Sequence, residues 1–188
     1  MIAVEILPVA LPDSADSPDA RDFLDYVALA GMVTSEQTGA GALAQHPSEA
    51  LARMRDGSGA SVALLARIAG RAAGAARLVA PDDGSVRASI SVFVPRRNAG
   101  ILETMLIKAV ETEARARWRV AIRAVSLHRP DPDGDAIPTA SGDGSVPRDP
   151  QARALAESGY TLHHVERHAT AESTAEHLAA EWLKTLAA

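Results

Sequence analysis

The 188-residue chain contains no cysteine, which excludes disulfides, thiolate metal sites and cysteine nucleophilic catalysis together. Aromatic residues are scarce, at 3% of the chain, so the core has to be aliphatic, and alanine dominates its apolar residues. No segment approaches the ~20 consecutive apolar residues of a membrane span, and the N-terminus lacks the basic-then-apolar pattern of a signal peptide. A soluble, cytoplasmic protein is expected. The net charge of −5 argues against a nucleic-acid partner, because phosphate contacts need a clustered basic surface. Walker, dinucleotide-fingerprint and nucleophile-elbow motifs are also missing.

What remains is 47% apolar and of a length that suits one domain, at roughly 100–200 residues per domain. Ile2 to Val9 reads as a strand. Ser17-Pro18 offers an N-cap and first-turn proline for a helix to about Met32. A shorter helix opens at Ser48 and ends at Asp56-Gly57-Ser58-Gly59. Ser61 to Ile68 and Arg71 to Val79 form a hairpin about Ala69-Gly70, with a bulge expected at Gly74. Val86 to Val94 reads as a third antiparallel strand.

From Ile101, residues Leu102, Met105, Leu106, Ala109, Val110 and Ala114 track one helical face, and Glu103, Lys108, Glu111 and Thr112 the other. Val120 to Leu127 follows that helix and is expected parallel to the strand before it. His128 to Arg148 reads as a long mobile loop. Asp149-Pro150 opens a helix through Glu157, and Tyr160 to His168 makes a last strand. Ser173 to Glu176 has the form of a capping box, and Ala175, Leu178, Ala179, Trp182, Leu183 and Leu186 form an apolar stripe behind it. The expectation is one domain over residues 1–170 and an amphipathic helix over 171–188 that docks on a second copy or a second domain.

The stretch Val94-Pro95-Arg96-Arg97-Asn98-Ala99-Gly100-Ile101 carries the chemistry. A strand ends in a basic, glycine-containing turn that opens a long helix, so turn amides and the unpaired N–H groups of the first helical turn converge where the helix dipole favours an anion. Arg97 adds charge to that cradle. A plain strand-to-helix turn is the bland reading of the same residues.

This order of elements resembles the GNAT superfamily of N-acetyltransferases over nearly the whole chain. The hairpin Ile68 to Leu78 resembles its second and third strands, with glycines at 70 and 74. Arg97-Asn98-Ala99-Gly100 resembles the first four positions of its pyrophosphate motif, and Ala152 to Tyr160 its late helix and Gly-aromatic step. Gly144 to Pro147 through Val165 to Arg167 resembles the first half of actinobacterial proteins with two such domains in tandem.

The resemblance implies an α/β fold with a central mixed sheet flanked by helices, and acetyl-CoA (CoA) as cofactor. Arg97, Asn98, Ala99, Gly100, Ile101 and Leu102 would line the pyrophosphate, and Val92, Phe93 and Val94 would flank the pantetheine. A small-molecule or peptide amine would attack the thioester. The chain departs from the pattern in the single residue between Pro95 and Arg97, in Leu102 where a small residue is usual, in Ser89 and Ser91 where a Glu often sits, and in Leu155 where a tyrosine is expected. A catalytically silent domain that binds a partner is the alternative.

Strand alternation puts His164, Glu166 and His168 on one face. A solvated face is the bland reading, and His164 with Glu166 orienting it is the acid–base candidate. Asp131, Asp133 and Asp135 imitate a calcium loop, but Ala136 and Gly142 stand where Gly and Glu are needed; no metal is expected. Tyr160 is expected to pack beneath the sheet, and Trp118 and Trp182 to serve core or interface.

Overall fold

The computed structural model describes residues 3–39, 46–56, 59–131, 133–169 and 176–186. Nine strands and four helices are seen among them: β1 (Val4–Pro8), α1 (Arg21–Thr38), α2 (Pro47–Arg55), β2 (Gly59–Ile68), β3 (Arg71–Pro81), β4 (Arg87–Phe93), α3 (Ile101–Ala116), β5 (Ala121–His128), β6 (Ala136–Pro138), β7 (Ser145–Pro147), α4 (Pro150–Glu157), β8 (Thr161–Ala169) and β9 (Glu176–Thr185). Seven strands form one sheet in the order β1-β2-β3-β4-β5-β9-β8. Every ladder in it is antiparallel except that between β4 and β5.

Two aliphatic cores sandwich this sheet. On one face α3 and α4 bury Leu102, Leu106, Val110 and Leu155 against Ala76, Leu78, Ile90, Ile122 and Trp182. On the other, α1 and α2 bury Phe23, Tyr26, Val33 and Met54 against Ala63, Leu65 and Ala75. The alanines at the sheet centre let helices approach from both sides. The β2–β3 turn has Ala69 and Gly70 both at positive φ (49° and 76°), the backbone of a tight hairpin turn. The bulge beside it places the extra residue at Ala73, since Ala66 pairs with Gly74 and Arg67 with Ala72. Gly74 has another use: a Cβ there would lie 3.0 Å from the side chains of Leu102 and Leu106, so the glycine lets α3 settle onto β3.

Several sequence expectations are corrected. Helix α1 begins at Arg21, after a turn in which the Ser17 hydroxyl donates to the Ser14 carbonyl instead of capping, and it continues to Thr38 because Val33 is buried in the second core. Gly39, in the left-handed conformation (φ 73°), ends it. Glu103 and Glu111 lie on the buried stripe of α3, not the solvent face. Glu111 is matched by Lys184, whose Nζ donates to it at 2.7 Å and to the Ser158 carbonyl at 2.6 Å, the compensation a buried charge requires.

The segment His128 to Arg148 is not a bare loop: it carries the β6–β7 hairpin, in which Ile137 faces Val146. Trp118 is 87% exposed at positive φ (57°), so it is not a core residue of this chain.

The largest correction concerns the last element. Residues 176–185 form strand β9, not a helix, and it lies between β5 and β8 inside the sheet. The expected division at residue 170 therefore cuts through one sheet, and the described residues of the expected docking helix are strand. Of the expected capping box at Ser173 to Glu176, the first three residues lie outside the described residues and Glu176 opens β9. Leu178, Ala180 and Trp182 alternate inward with the period of two of a strand, while the same sequence also satisfies helical spacing. Tertiary pairing decides, because β5 and β8 each need a partner for their open edge.

Trp182 is fully buried, and its indole N–H donates to Ser126 Oγ at 2.8 Å. Trp182→Ala is expected to cost about 3–5 kcal/mol of unfolding free energy, measured by urea titration. A loss below about 1 kcal/mol would contradict the inserted-strand arrangement, since surface changes fall within that range.

Candidate functional site

Strands β4 and β5 share a parallel ladder only from Arg87–Ala121 to Ile90–Ala124. Beyond it β4 stays with β3 as far as Phe93 paired to Ala75, and β5 stays with β9 as far as His128 paired to Leu178. The two strands part, and the sheet opens into a cleft. A cavity of about 300 Å³ fills the opening, walled by Val94, Glu103, His128, Asp149 and Gln151 among others. A second cavity, between α3 and α4, is lined by Gly100, Ile101, Thr104 and Arg153 and shares Ala99 and Pro150 with the first. The two lie side by side between the parted strands and the N-terminus of α3.

At that N-terminus Arg96 to Asn98 make a 3-10 turn, and Asn98 Nδ2 ties the turn to β3 by donating to the Ala73 carbonyl at 2.8 Å. Gly100 adopts φ 121°, ψ −113°, a region essentially closed to residues with a Cβ. The first amides of α3 have no carbonyl within the helix to bond, so the backbone here offers donors to an anion.

One side chain already reaches into it. Glu103 folds back so that its carboxylate accepts the Gly100 N–H at 2.6 Å. It is 2% exposed, and burial holds its carboxyl above the usual carboxylate range, against hydrogen bonds from the Glu103 and Gly100 amides that favour the charged form, with nearby Asp149 adding to the rise.

The open edge of β4 is occupied too. Gln151, at the start of α4, donates from Nε2 to the buried Val92 carbonyl at 2.9 Å, and accepts from Gln37 Nε2 of α1 at 2.7 Å. Unpaired strand carbonyls are costly when buried, and these two carboxamides bridge the cleft to satisfy one.

The fold as a whole recurs in solved proteins. An N-acetyltransferase from Staphylococcus aureus superimposes with a TM-score of 0.67 at 12% identity, over 98% of this chain and 99% of that one. The chain has the GNAT acetyltransferase fold. A Salmonella typhimurium protein solved with its cofactor acetyl-CoA matches with the GNAT fold at a TM-score of 0.61 and 14% identity, over 98% of this chain and 95% of that one. A tandem GNAT protein from the clavulanic acid biosynthesis pathway matches at 0.60 and 21% identity, over 88% of this chain and 46% of that one. No family model matches the sequence, and no curated protein matches it.

Within this GNAT fold the sequence-derived positions fall as follows. Val92 and Phe93 end β4 where the strands part, and Val94 lines the cleft. Ala99 lies on both cavities, and Gly100 and Ile101 on the second. Arg97 is exposed on the turn. The side chain of Leu102 turns into the core, where Gly74 makes room for it, so its bulk lies away from the cradle and only its amide faces the helix start. Tyr160 is buried beside Glu111, and burial together with that carboxylate pushes its phenol far above the usual range.

His164 and Glu166 do meet, with Nε2 to Oε1 at 3.2 Å, and His168 approaches the other oxygen of Glu166 at 3.3 Å. All three side chains are about half exposed on β8, which β5 and β9 separate from the parted edge of β4. Neither His164 nor Glu166 lines the cleft cavities. Among the described residues no group of three His, Cys, Asp or Glu side chains could hold a metal ion, and no helix is long and apolar enough to cross a membrane.

Sequence reasoning missed Glu103 and Gln151 as site residues. Glu three positions after a helix-opening glycine is a signal that could have found the first.

Glu103 also sets a pH dependence. Its folded carboxyl is raised from 4.5, so the folded state holds this proton more tightly than the unfolded chain, and stability from this group falls as pH rises through the window between the two values. Glu103→Gln keeps an acceptor for Gly100 and removes the charge. It should melt above the wild type at neutral pH, with the gap closing below about pH 4.5. Melting curves of both proteins across pH 4–8 measure this; parallel curves would contradict it.

Proposed function

We propose that the chain is an acyl-CoA-dependent N-acyltransferase, with acetyl-CoA as donor and an amine as acceptor. The observation that carries this reading is the pair of adjoining cavities, one at the parted β4 and β5 and one at the Gly100 turn, that share Ala99 and Pro150. A pantetheine arm is extended and amide-bearing, and the open edge of β4 at Val92 can pair with it as a strand would. The first-turn amides of α3, with Arg97, Thr104 and Arg153 nearby, suit the phosphates. When bound, the donor supplies an activated thioester carbonyl.

The acceptor side has its own space. On the opposite face of the sheet a cavity of about 320 Å³ lies between α1, α2 and the strands, lined by Tyr26, Met54, Arg77, Ser91 and Phe93 among others. It reaches β4 at Ser91 and Phe93, where the strand leaves its partner. Donor and acceptor would thus approach the same strand end from opposite faces, an arrangement that turns a two-molecule encounter into a positioned one.

A second reading, a GNAT-fold domain that binds no cofactor and acts through a partner, is favoured by the two occupied groups, the Gly100 amide and the Val92 carbonyl. The readings separate in a calorimetric titration with acetyl-CoA. The enzyme reading expects binding by the wild type and binding about tenfold tighter by Glu103→Gln, the order expected for removing one like charge beside a partly solvated phosphate. Absence of heat from both proteins would overturn it in favour of the silent domain.

A further inference from the structure

Behind the cleft wall four side chains form an unbroken line of hydrogen bonds. Trp182 Nε1 of β9 lies 2.8 Å from Ser126 Oγ, Ser126 Oγ lies 2.7 Å from His128 Nε2, and His128 Nδ1 lies 2.6 Å from Asp149 Oδ2. Ser126 and His128 are buried on one face of β5, and Asp149, 35% exposed at its side chain, stands on the cavity wall.

The chemistry of the groups orders the protons. An indole nitrogen only donates and a carboxylate only accepts. The neutral imidazole therefore carries its proton on Nδ1, toward Asp149, and its Nε2 accepts from the Ser126 hydroxyl, whose oxygen takes the Trp182 N–H. The other oxygen of Asp149 accepts the Ala152 N–H at 2.9 Å and caps α4. Asp149 is thus held by two donors on the protein side, with its remaining lone pairs toward the cavity.

Serine, histidine and aspartate also make nucleophilic triads. Here the serine is the closed end: Ser126 is 1% exposed, accepts the Trp182 N–H and lines neither cleft cavity. No acyl carbon can reach it.

We propose that Asp149 is the general base of the acyl transfer, and that His128, locked by Ser126 and Trp182, is the positioning residue that aims it; this inference rests on the acyl-CoA reading above. As the amine nitrogen bonds to the acyl carbon and the carbon–sulfur bond breaks, the amine's proton passes to Asp149, and the same carboxyl returns it to the leaving sulfur. The products are amide and free thiol, with no other reactant. This supplies what Ser89, Ser91 and Leu155 lack. The charged and titratable groups facing Asp149 across the cavity are Glu36 of α1, Arg96 of the turn, Glu103 of α3, and His128 and Arg129 at the end of β5.

Three measurements test it. Calorimetry with acetyl-CoA comes first, on wild type and Asp149→Asn, in which asparagine still caps α4. Both proteins are expected to bind, and absence of wild-type binding overturns the acyl-CoA reading itself. Next is release of CoA thiol in a single turnover with hydroxylamine as acceptor. The wild type should exceed the solution rate, and Asp149→Asn should slow release about 100-fold, the low end of general-base contributions. His128→Leu should fall similarly while still binding acetyl-CoA, and His128→Asn, which keeps a donor toward Asp149, should recover part of the rate.

Binding without release above the solution rate, or release unchanged in Asp149→Asn, overturns the base assignment and leaves the acyl-CoA reading standing. Last, nitrogen-15 spectra of the histidines in the ligand-free protein should show His128 protonated at Nδ1, with its Nε2 shift moved in Ser126→Ala. Protonation at Nε2 alone would overturn the positioning role whatever the rates.

Discussion

A parallel ladder that stops after four residue pairs governs this molecule. Between Ile90–Ala124 and the strand ends, β4 and β5 are drawn apart because each keeps its outer neighbour, β3 on one side and β9 on the other. Backbone groups exposed by the parting cannot stay unpaired in a protein interior. Most of what is distinctive near the cleft answers that need: Gln151 reaching Val92, Gln37 reaching Gln151, and α4 placed so that its first turn looks into the gap. A ligand able to enter has to offer the same hydrogen bonds in exchange.

That exchange gives the site two opposed characters. Backbone geometry at Gly100 and the dipole of α3 attract an anion, whereas Glu103 supplies one from within the chain. Burial makes the carboxyl easier to protonate than a surface glutamate. The same residue therefore caps the helix and would compete with any anion drawn to it, a balance that a single proton shifts.

The sequence made the local parts of this design legible. The strand-turn-helix about Gly100, the hairpin about Ala69-Gly70, the parallel placement of β5 and the capped start of α4 at Asp149 all rest on neighbouring residues and short-range rules. Features set by distant pairing were not legible. Leu178, Ala180 and Trp182 satisfy a strand, and the set from Leu178 to Leu186 satisfies a helix; only the empty slot between β5 and β8 chooses. Glu103 and Glu111 look solvent-facing by their chemistry, and their burial depends on Gly100 and on Lys184, which is 73 positions from Glu111. The Ser126–His128–Asp149 line was hidden for a related reason. His128 reads as the start of a loop, and the 21 positions separating it from Asp149 are closed by a hairpin that short-range rules did not show.

The position of β9 also dictates an order of assembly. During synthesis β8 leaves the ribosome before the strand that must lie between it and β5, so neither strand can complete its ladder when it first appears. The α3 core can form early from β2, β3 and β4, whose pairings are close in sequence, while the β5 edge waits for residues some sixty positions downstream. Trp182 arrives with that late strand, and it is the residue that closes the hydrogen bonds behind the cleft. The pairings around α3 can thus form before the wall that Trp182 closes, which leaves a half-built sheet edge as the stage most exposed to mispairing.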